Sequence, residues 1–286
     1  MFLLKQFTLR MNKTVFNLCL FIFIISPVFL SKAMAQGNLL VTPKRIVFEG
    51  LKRSEELNLA NVGSDSATYM VSFIQIRMKA DGSVETITEP DSAQNFADKY
   101  LRIFPRRVTL APNEAQTVKV QVTKTNELLP GEYRSHLYFR AMPNEKPLGE
   151  KEAQKDSSIS VKLVPIFGIS LPVIIRQGES TAKLNFSNVS FQMENDTTPL
   201  LKITFNRSGD MSSYGDVIVN YVSLNGKVSK VGNVKGLAVY TPNTLRNFNL
   251  LLDKKNGIDY RSGKLQIMYL DDSPKHAKLA EAEIAL

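Results

Sequence analysis

Ser157 to Arg176 reads SSISVKLVPIFGISLPVIIR, and the fold is decided by how this stretch is read. Ile159, Val161 and Leu163 alternate with Ser158, Ser160 and Lys162, so one face is apolar and the other polar. A period of two is the signature of a half-buried β-strand. Pro165 interrupts it, and a nearly continuous apolar run, IFGISLPVII, follows. The preceding stretch, PNEKPLGEKEAQKD (Pro143 to Asp156), is half charged, carries proline and glycine, and has almost no apolar mass to bury. It is predicted to be mobile in the free protein. Beyond Arg176 the texture of the chain changes. The opening stretch is therefore expected to close a first β-sandwich, cross to a second, and carry the working edge of the protein.

Toward the N-terminus the chain supplies the partners for that strand. Asn38 to Phe48 reads as a strand interrupted by Pro43, which points to an edge or a bulge. Glu55 to Ala60 turns Leu57 and Leu59 inward, and Thr68 to Met78 turns Tyr69, Val71 and Phe73 to one face. Asp81-Gly82 signals a hairpin into Val84 to Ile87. Tyr100 to Phe104, Val108 to Ala111, Gln116 to Lys124 (with Val118, Val120 and Val122 inward) and Tyr133 to Met142 complete the set. About seven short strands, with turns every ten or so residues, predict an antiparallel sandwich. No segment has convincing helical periodicity.

Toward the C-terminus, Gln177-Gly178-Glu179 reads as a linker. Lys183 to Gln192 is a strand pair or one bent strand, and Leu200 to Phe205 a strand. Asp216 to Leu224 and Lys227 to Val231 flank Asn225-Gly226, which predicts a type I′ hairpin. Gly236 to Tyr240, Arg246 to Leu252 and Gly263 to Leu270 follow, and Ala280 to Leu286 is a last strand or a short helix. The N-x-S/T sequons at Asn185, Asn188, Asn195 and Asn206 are read as chance in an Asn/Ser-rich region.

The first residues read differently. Lys5, Arg10 and Lys13 precede an apolar run from about Val15 to Leu30, and Ala33-Met34-Ala35 fits an A-x-A cleavage site. This is the pattern of a secretory signal peptide over residues 1–35, with Met11 a second candidate start. The apolar run is short for a spanning helix, which disfavours a membrane anchor. Removing residues 1–35 from the 286 leaves 251, the size of two sandwiches: residues 36–176 and 177–286. The leader holds four of the 36 Lys+Arg and none of the 27 Asp+Glu, so the mature chain sets 32 bases against 27 acids. No basic run resembles a nucleic-acid stripe, so no nucleic-acid partner is expected.

Chemistry is sparse. The single cysteine, Cys19, lies in the leader, so the mature chain relies on packing without a disulfide. Without tryptophan it also lacks the Cys-Trp-Cys core of antibody-type domains. Two histidines, His136 and His276, and no mature cysteine cannot build a conventional zinc cluster or a Cys-His nucleophile. No nucleophile-elbow, phosphate-loop or dinucleotide motif is present. Asp271-Asp272 beside Ser273-Pro274 reads as a solvated turn, and His136 as a packed or surface side chain. Neither an enzyme nor a cofactor is expected.

Four segments in order carry a resemblance: TPKRIVFEG (Thr42 to Gly50), ELNLAN (Glu56 to Asn61), IFPRRVTLAPNEAQTVKV (Ile103 to Val120) and LPGEYRSHLYFRAMP (Leu129 to Pro143). As an ordered set they resemble the N-terminal domain of PapD-like periplasmic chaperones of the chaperone–usher pathway. The resemblance covers roughly residues 38–176; residues 177–286 resemble the family only in size and β-character. It implies an all-β chain of two immunoglobulin-like sandwiches in a boomerang, located in the periplasm. It implies a chaperone that caps incomplete pilus or fimbrial subunits and delivers them to an outer-membrane usher. The last strand of the first domain is donated to the subunit, a case of β-strand addition. Here Ile159, Val161 and Leu163 fit that role. Such an apolar edge also invites self-association when free.

The resemblance further implies a cationic cleft for the subunit's terminal carboxylate. Arg45 matches the cleft arginine, whose planar fork suits a carboxylate. The second cation, a lysine five residues before a proline, falls on Phe167, which leaves Lys162 and Arg176, nearby in sequence, as candidates to substitute, with nothing selecting between them. A glutamate and an arginine that join the domains in many members fall on Arg134 and Leu171. The hinge is accordingly expected to rest on apolar contacts. A different class of function also fits: an exported immunoglobulin-like structural or adhesive module that binds carbohydrate.

Overall fold

The structure, a computed structural model, describes residues 39–143, 166–195 and 197–286. The predicted leader, most of the charged stretch before Asp156, and the alternating segment with Ile159, Val161, Lys162 and Leu163 lie outside the described residues.

The described chain is all-β; its only helical turns are two three-residue 3-10 segments. In order its first ten strands are β1 (Leu39–Thr42), β2 (Ile46–Phe48), β3 (Ser54–Asn61), β4 (Ala67–Met78), β5 (Val84–Ile87), β6 (Leu101–Phe104), β7 (Arg107–Leu110), β8 (Ala115–Val122), β9 (Gly131–Met142) and β10 (Gly168–Gln177). They form two sheets. One runs β1-β3-β8-β6; the other runs β2-β10-β9-β4-β5, with β7 also on β4. The split between β1 and β2 follows from Pro43, which has no N–H to give a ladder and ends the first piece. β1 then pairs antiparallel with β3, whereas β2 crosses to the facing sheet and pairs parallel with β10. Between the sheets Leu57, Leu59, Val118 and Val120 meet Leu137, Phe139, Val173 and Ile175, all buried. Each such side chain contributes about 1.5–3 kcal/mol by leaving water.

The remaining strands are β11 (Lys183–Glu194), β12 (Thr198–Ser208), β13 (Ser213–Val222), β14 (Val228–Val239), β15 (Leu245–Leu251), β16 (Lys264–Asp271) and β17 (Lys278–Ala285). They make a second sandwich from the sheets β11-β12-β15 and β14-β13-β16-β17. Phe205 sits at its centre, edge-on to Phe186 at 4.9 Å and Tyr269 at 5.3 Å.

Two expectations change and two open alternatives are resolved. β11 is one bent strand: its register slips between Ser187 and Ser190, where Asn188 takes a positive φ of 49°. Lys227 to Val231 and Gly236 to Tyr240 are not separate, because bulges in the β13–β14 pairing let one strand continue. The Asp216 carboxylate accepts the Gly236 N–H at 2.9 Å and holds that irregular stretch. The Asn225-Gly226 turn is not type I′, which needs two positive φ angles. Only Gly226 has one (81°), and its N–H closes a β-turn onto the Ser223 carbonyl at 2.9 Å. The C-terminal segment is a strand, since β17 pairs with β16 and turns Ala282 and Ile284 toward the core.

Candidate functional site

The two sandwiches meet on a buried carboxylate. Glu132, near the start of β9, has a fully buried side chain. It accepts hydrogen bonds from the Ser212 N–H (3.0 Å), the Ser212 hydroxyl, the Thr241 hydroxyl (3.2 Å) and Arg176 Nε (3.2 Å). Arg176 adds a bond from Nη2 to the Ser212 carbonyl at 2.8 Å. Around this centre Arg134 donates to the Thr241 carbonyl at 3.0 Å and lies over the Tyr240 ring at 4.4 Å. The Asn243 amide donates to the Met78 carbonyl at 2.6 Å, and the Asn247 N–H to Ala80 at 2.6 Å. Apolar contact includes a small cluster of Met78, Ile174, Ala238 and Tyr240, with Val47 and Tyr214 against it.

The expectation of an apolar hinge is thus corrected. The carboxylate and its guanidinium partner exist, displaced from Arg134 to Glu132 and from Leu171 to Arg176. Burial explains why they are paired: an isolated charge there costs several kcal/mol to desolvate.

Beside this joint opens a cleft of about 480 Å³, with Arg45 and Arg176 on the side of the first sandwich and the Asp271–Ser273 turn on the side of the second. Arg45 is not on a strand; it sits in the connector immediately before β2. Its guanidinium stacks on Tyr214 at 4.2 Å from the ring centre. Nε and Nη2 are buried without a hydrogen-bond partner among the described residues. Burial lowers its pKa, and the like charge of Arg176 adds to that, against the opposing influence of Tyr240, Glu132 and Tyr214. An arginine nevertheless stays charged. The cleft is therefore lined by a partly buried cation with no ion-pair partner among the described residues, a charge that an anion in the cleft would balance.

Arg176 lines the same cleft, but two of its nitrogens already serve the joint. Its Nη1 faces Glu49 at 3.8 Å. Phe167 is nowhere near: nine residues of strand separate it from Arg176, about 30 Å at ~3.3 Å per residue. A residue counted back five from Pro172 does not reach the cleft, whatever its charge.

The other candidate feature is the edge of β10. On one side β9 pairs with it from Gly168 to Gln177; on the other, β2 covers only Val173 to Ile175. The Ala141 N–H donates to the Phe167 carbonyl at 2.9 Å, which sets the alternation. Backbone groups of residues 167, 169 and 171 face β9, and those of Gly168 and Ser170 face the open edge. Pro172 falls in the outward set, where its missing N–H costs β9 nothing. Phe167 (53% exposed) and Ile169 (38%) share the side of buried Leu171 and Val173 but stand clear of the core. Ile159, Val161 and Leu163 have the same odd parity in the sequence. The sequence reading missed Phe167 and Ile169 as edge residues because a continuous apolar run hides which members face out. It missed Glu132 because its partners are some eighty residues away along the chain.

No protein-family model matches the chain, and no curated protein sequence matches it. Among solved structures the chain is similar to the YadV chaperone, with a TM-score of 0.42 and 13% identity over 87% of this chain and 99% of that one. It is similar to the CsuC–CsuE chaperone–tip subunit pre-assembly complex from the archaic chaperone–usher Csu pili of Acinetobacter baumannii, at a TM-score of 0.42 and 10% identity over 86% and 97%. It is also similar to the complex of SafA pilin with the SafB chaperone from Salmonella enterica, at 0.41 and 12% over 89% and 99%.

Proposed function

We propose that the chain is a periplasmic chaperone that holds an incomplete β-sandwich subunit of the pilus or fimbrial kind. It would do so by adding a strand along the open edge of β10 and seating the subunit's terminal carboxylate on Arg45. The observation that carries this reading is the conjunction in one sandwich of an apolar edge with no partner among the described residues and a buried guanidinium with no carboxylate paired to it among them. Gly168 and Ser170 offer the backbone bonds; Phe167 and Ile169, with Ile159, Val161 and Leu163 beyond them, offer the alternating side chains. A carboxylate in the cleft neutralises the Arg45 guanidinium, whose burial is only partly offset by its neighbours. Arg176 acts as second cation through Nη1 alone, and Lys162 is the other candidate.

On this reading residues 36–176 form the chaperone domain, and the leader-type segment 1–35 supports export to the periplasm. Delivery to an outer-membrane usher belongs to the same proposal. So does pairing with a second copy when no subunit is present, because a bare apolar edge is a template for another strand.

Co-expression with an exported β-rich subunit lacking its last strand tests the reading. A soluble one-to-one complex is expected, lost in Ile169→Asp and weakened at least tenfold in Arg45→Ala. Equal capture by both variants would remove the edge and the cleft from the function.

A further inference from the structure

The charges of the cleft do not all remain available. Arg176 is engaged by Glu132 and the Ser212 carbonyl, with Glu49 beside it. The Asp271 carboxylate accepts from the Ser273 hydroxyl at 2.8 Å and the Ala277 N–H at 2.7 Å, which fixes the turn after β16. After these internal pairs, two groups are left with unspent capacity on opposite walls. One is Arg45, with two buried nitrogens unpartnered. The other is Asp272, exposed and without a hydrogen bond or ion pair among the described residues. The Tyr214 ring lies under Arg45, 4.2 Å from the guanidinium, and lines the same cleft as Asp272. The same side of the cleft presents Ala182, Leu184 and Leu279 among the serines Ser180, Ser213 and Ser273.

From this geometry we infer that the cleft selects a polypeptide C-terminus with lysine or arginine among its last two residues. The terminal carboxylate sits on Arg45 while the side-chain cation reaches Asp272. A ligand with a carboxylate alone leaves Asp272 facing a newly placed negative charge. A ligand carrying both signs satisfies both walls, and the methylene stem of a lysine or arginine covers Leu184 and Leu279. The inference rests on the proposed capture of a subunit terminus and names the terminus that is preferred.

Fluorescent peptides of one alternating apolar sequence, ending in Lys, Gln or Glu, distinguish the two ideas by anisotropy titration against the full chain. The Lys peptide is expected to bind about fivefold tighter than the Gln peptide at low salt, and the Glu peptide more weakly still. Asp272→Asn should erase the ranking while leaving the Gln peptide unchanged. Arg45→Ala, or amidation of the peptide terminus, should weaken all three. Equal binding of all three peptides, or a ranking that survives Asp272→Asn, overturns the inference and leaves carboxylate capture standing. Failure of every peptide to bind overturns both.

Discussion

A single residue at the joint makes the fold sensitive to acid. His136 lies on β9, 6% exposed, edge-on to Tyr240 at 6.4 Å, with Nδ1 unpartnered. Burial, and then the positive charge of Arg134, push its pKa down to about 3. In the unfolded chain the imidazole titrates near 6.5. Between those values the unfolded state binds a proton that the folded state refuses. Stability therefore falls as pH drops through about 6.5 and stops falling only near 3, where the folded state also protonates. From pH 7.5 to pH 5 this one group removes about 2 kcal/mol. Urea unfolding of the wild type and His136→Gln at the two pH values checks it. All other groups titrate in both proteins, so the difference isolates the imidazole. The wild type should lose about 2 kcal/mol more than the variant on acidification; equal losses would mean that His136 finds a proton acceptor in the fold. The same burial logic explains Arg45, whose desolvation has no ion-pair partner to offset it among the described residues, whereas Arg176 is paired with Glu132.

At the scale of the element, β10 is two half-strands with different edges. From Val173 to Ile175 both edges are paired; from Gly168 to Pro172 one has no partner among the described residues. Ser170→Pro removes an outward N–H and none that β9 uses, and Pro172 shows that the edge accepts proline at this parity. Its thermal midpoint should stay within a few degrees of wild type, while capture of a strand-deficient subunit is lost. If capture persists in Ser170→Pro, the added strand does not pair here. Elements were also where the sequence was most readable. Leu57/Leu59, Val118/Val120 and Tyr69/Val71 alternate because side chains on a strand point to opposite faces, and all six are buried. Strand ends were less readable. Gly232, Asn233, Lys235 and Gly236 interrupt the alternation of β14, yet bulges carry the strand through them. The cleft was half readable. Arg45 stood in a recognisable motif, but Asp272 looks the same in sequence whether its turn faces solvent or a neighbouring sandwich. No local pattern marks Glu132, because its partners are set by how two sandwiches dock.

The docking itself is a property of the whole molecule, and it is mostly polar. Four side chains make the small apolar cluster between the sandwiches, against a ring of cross-bonds from Glu132, Arg134, Arg176, Asn243 and Asn247. Removing one partner of a buried pair costs about 3–5 kcal/mol, because the other charge is left without compensation. In Glu132→Ala that loss falls on the contact between the halves, because Ser212 and Thr241 of the second sandwich lose their acceptor. Calorimetry should therefore show one transition for the wild type and two for Glu132→Ala. Glu132→Gln, which keeps one acceptor oxygen and turns the other into an amide donor, should remain a single transition at a lower midpoint. Unfolding of Glu132→Ala in one step, merely shifted down, would place the coupling in the apolar cluster. The cleft follows the joint, since Arg45 stands on one sandwich and Tyr214 and Asp272 on the other. Subunit affinity should then fall in Glu132→Ala although no residue of the cleft has been changed, and restoring the carboxylate alone should restore it.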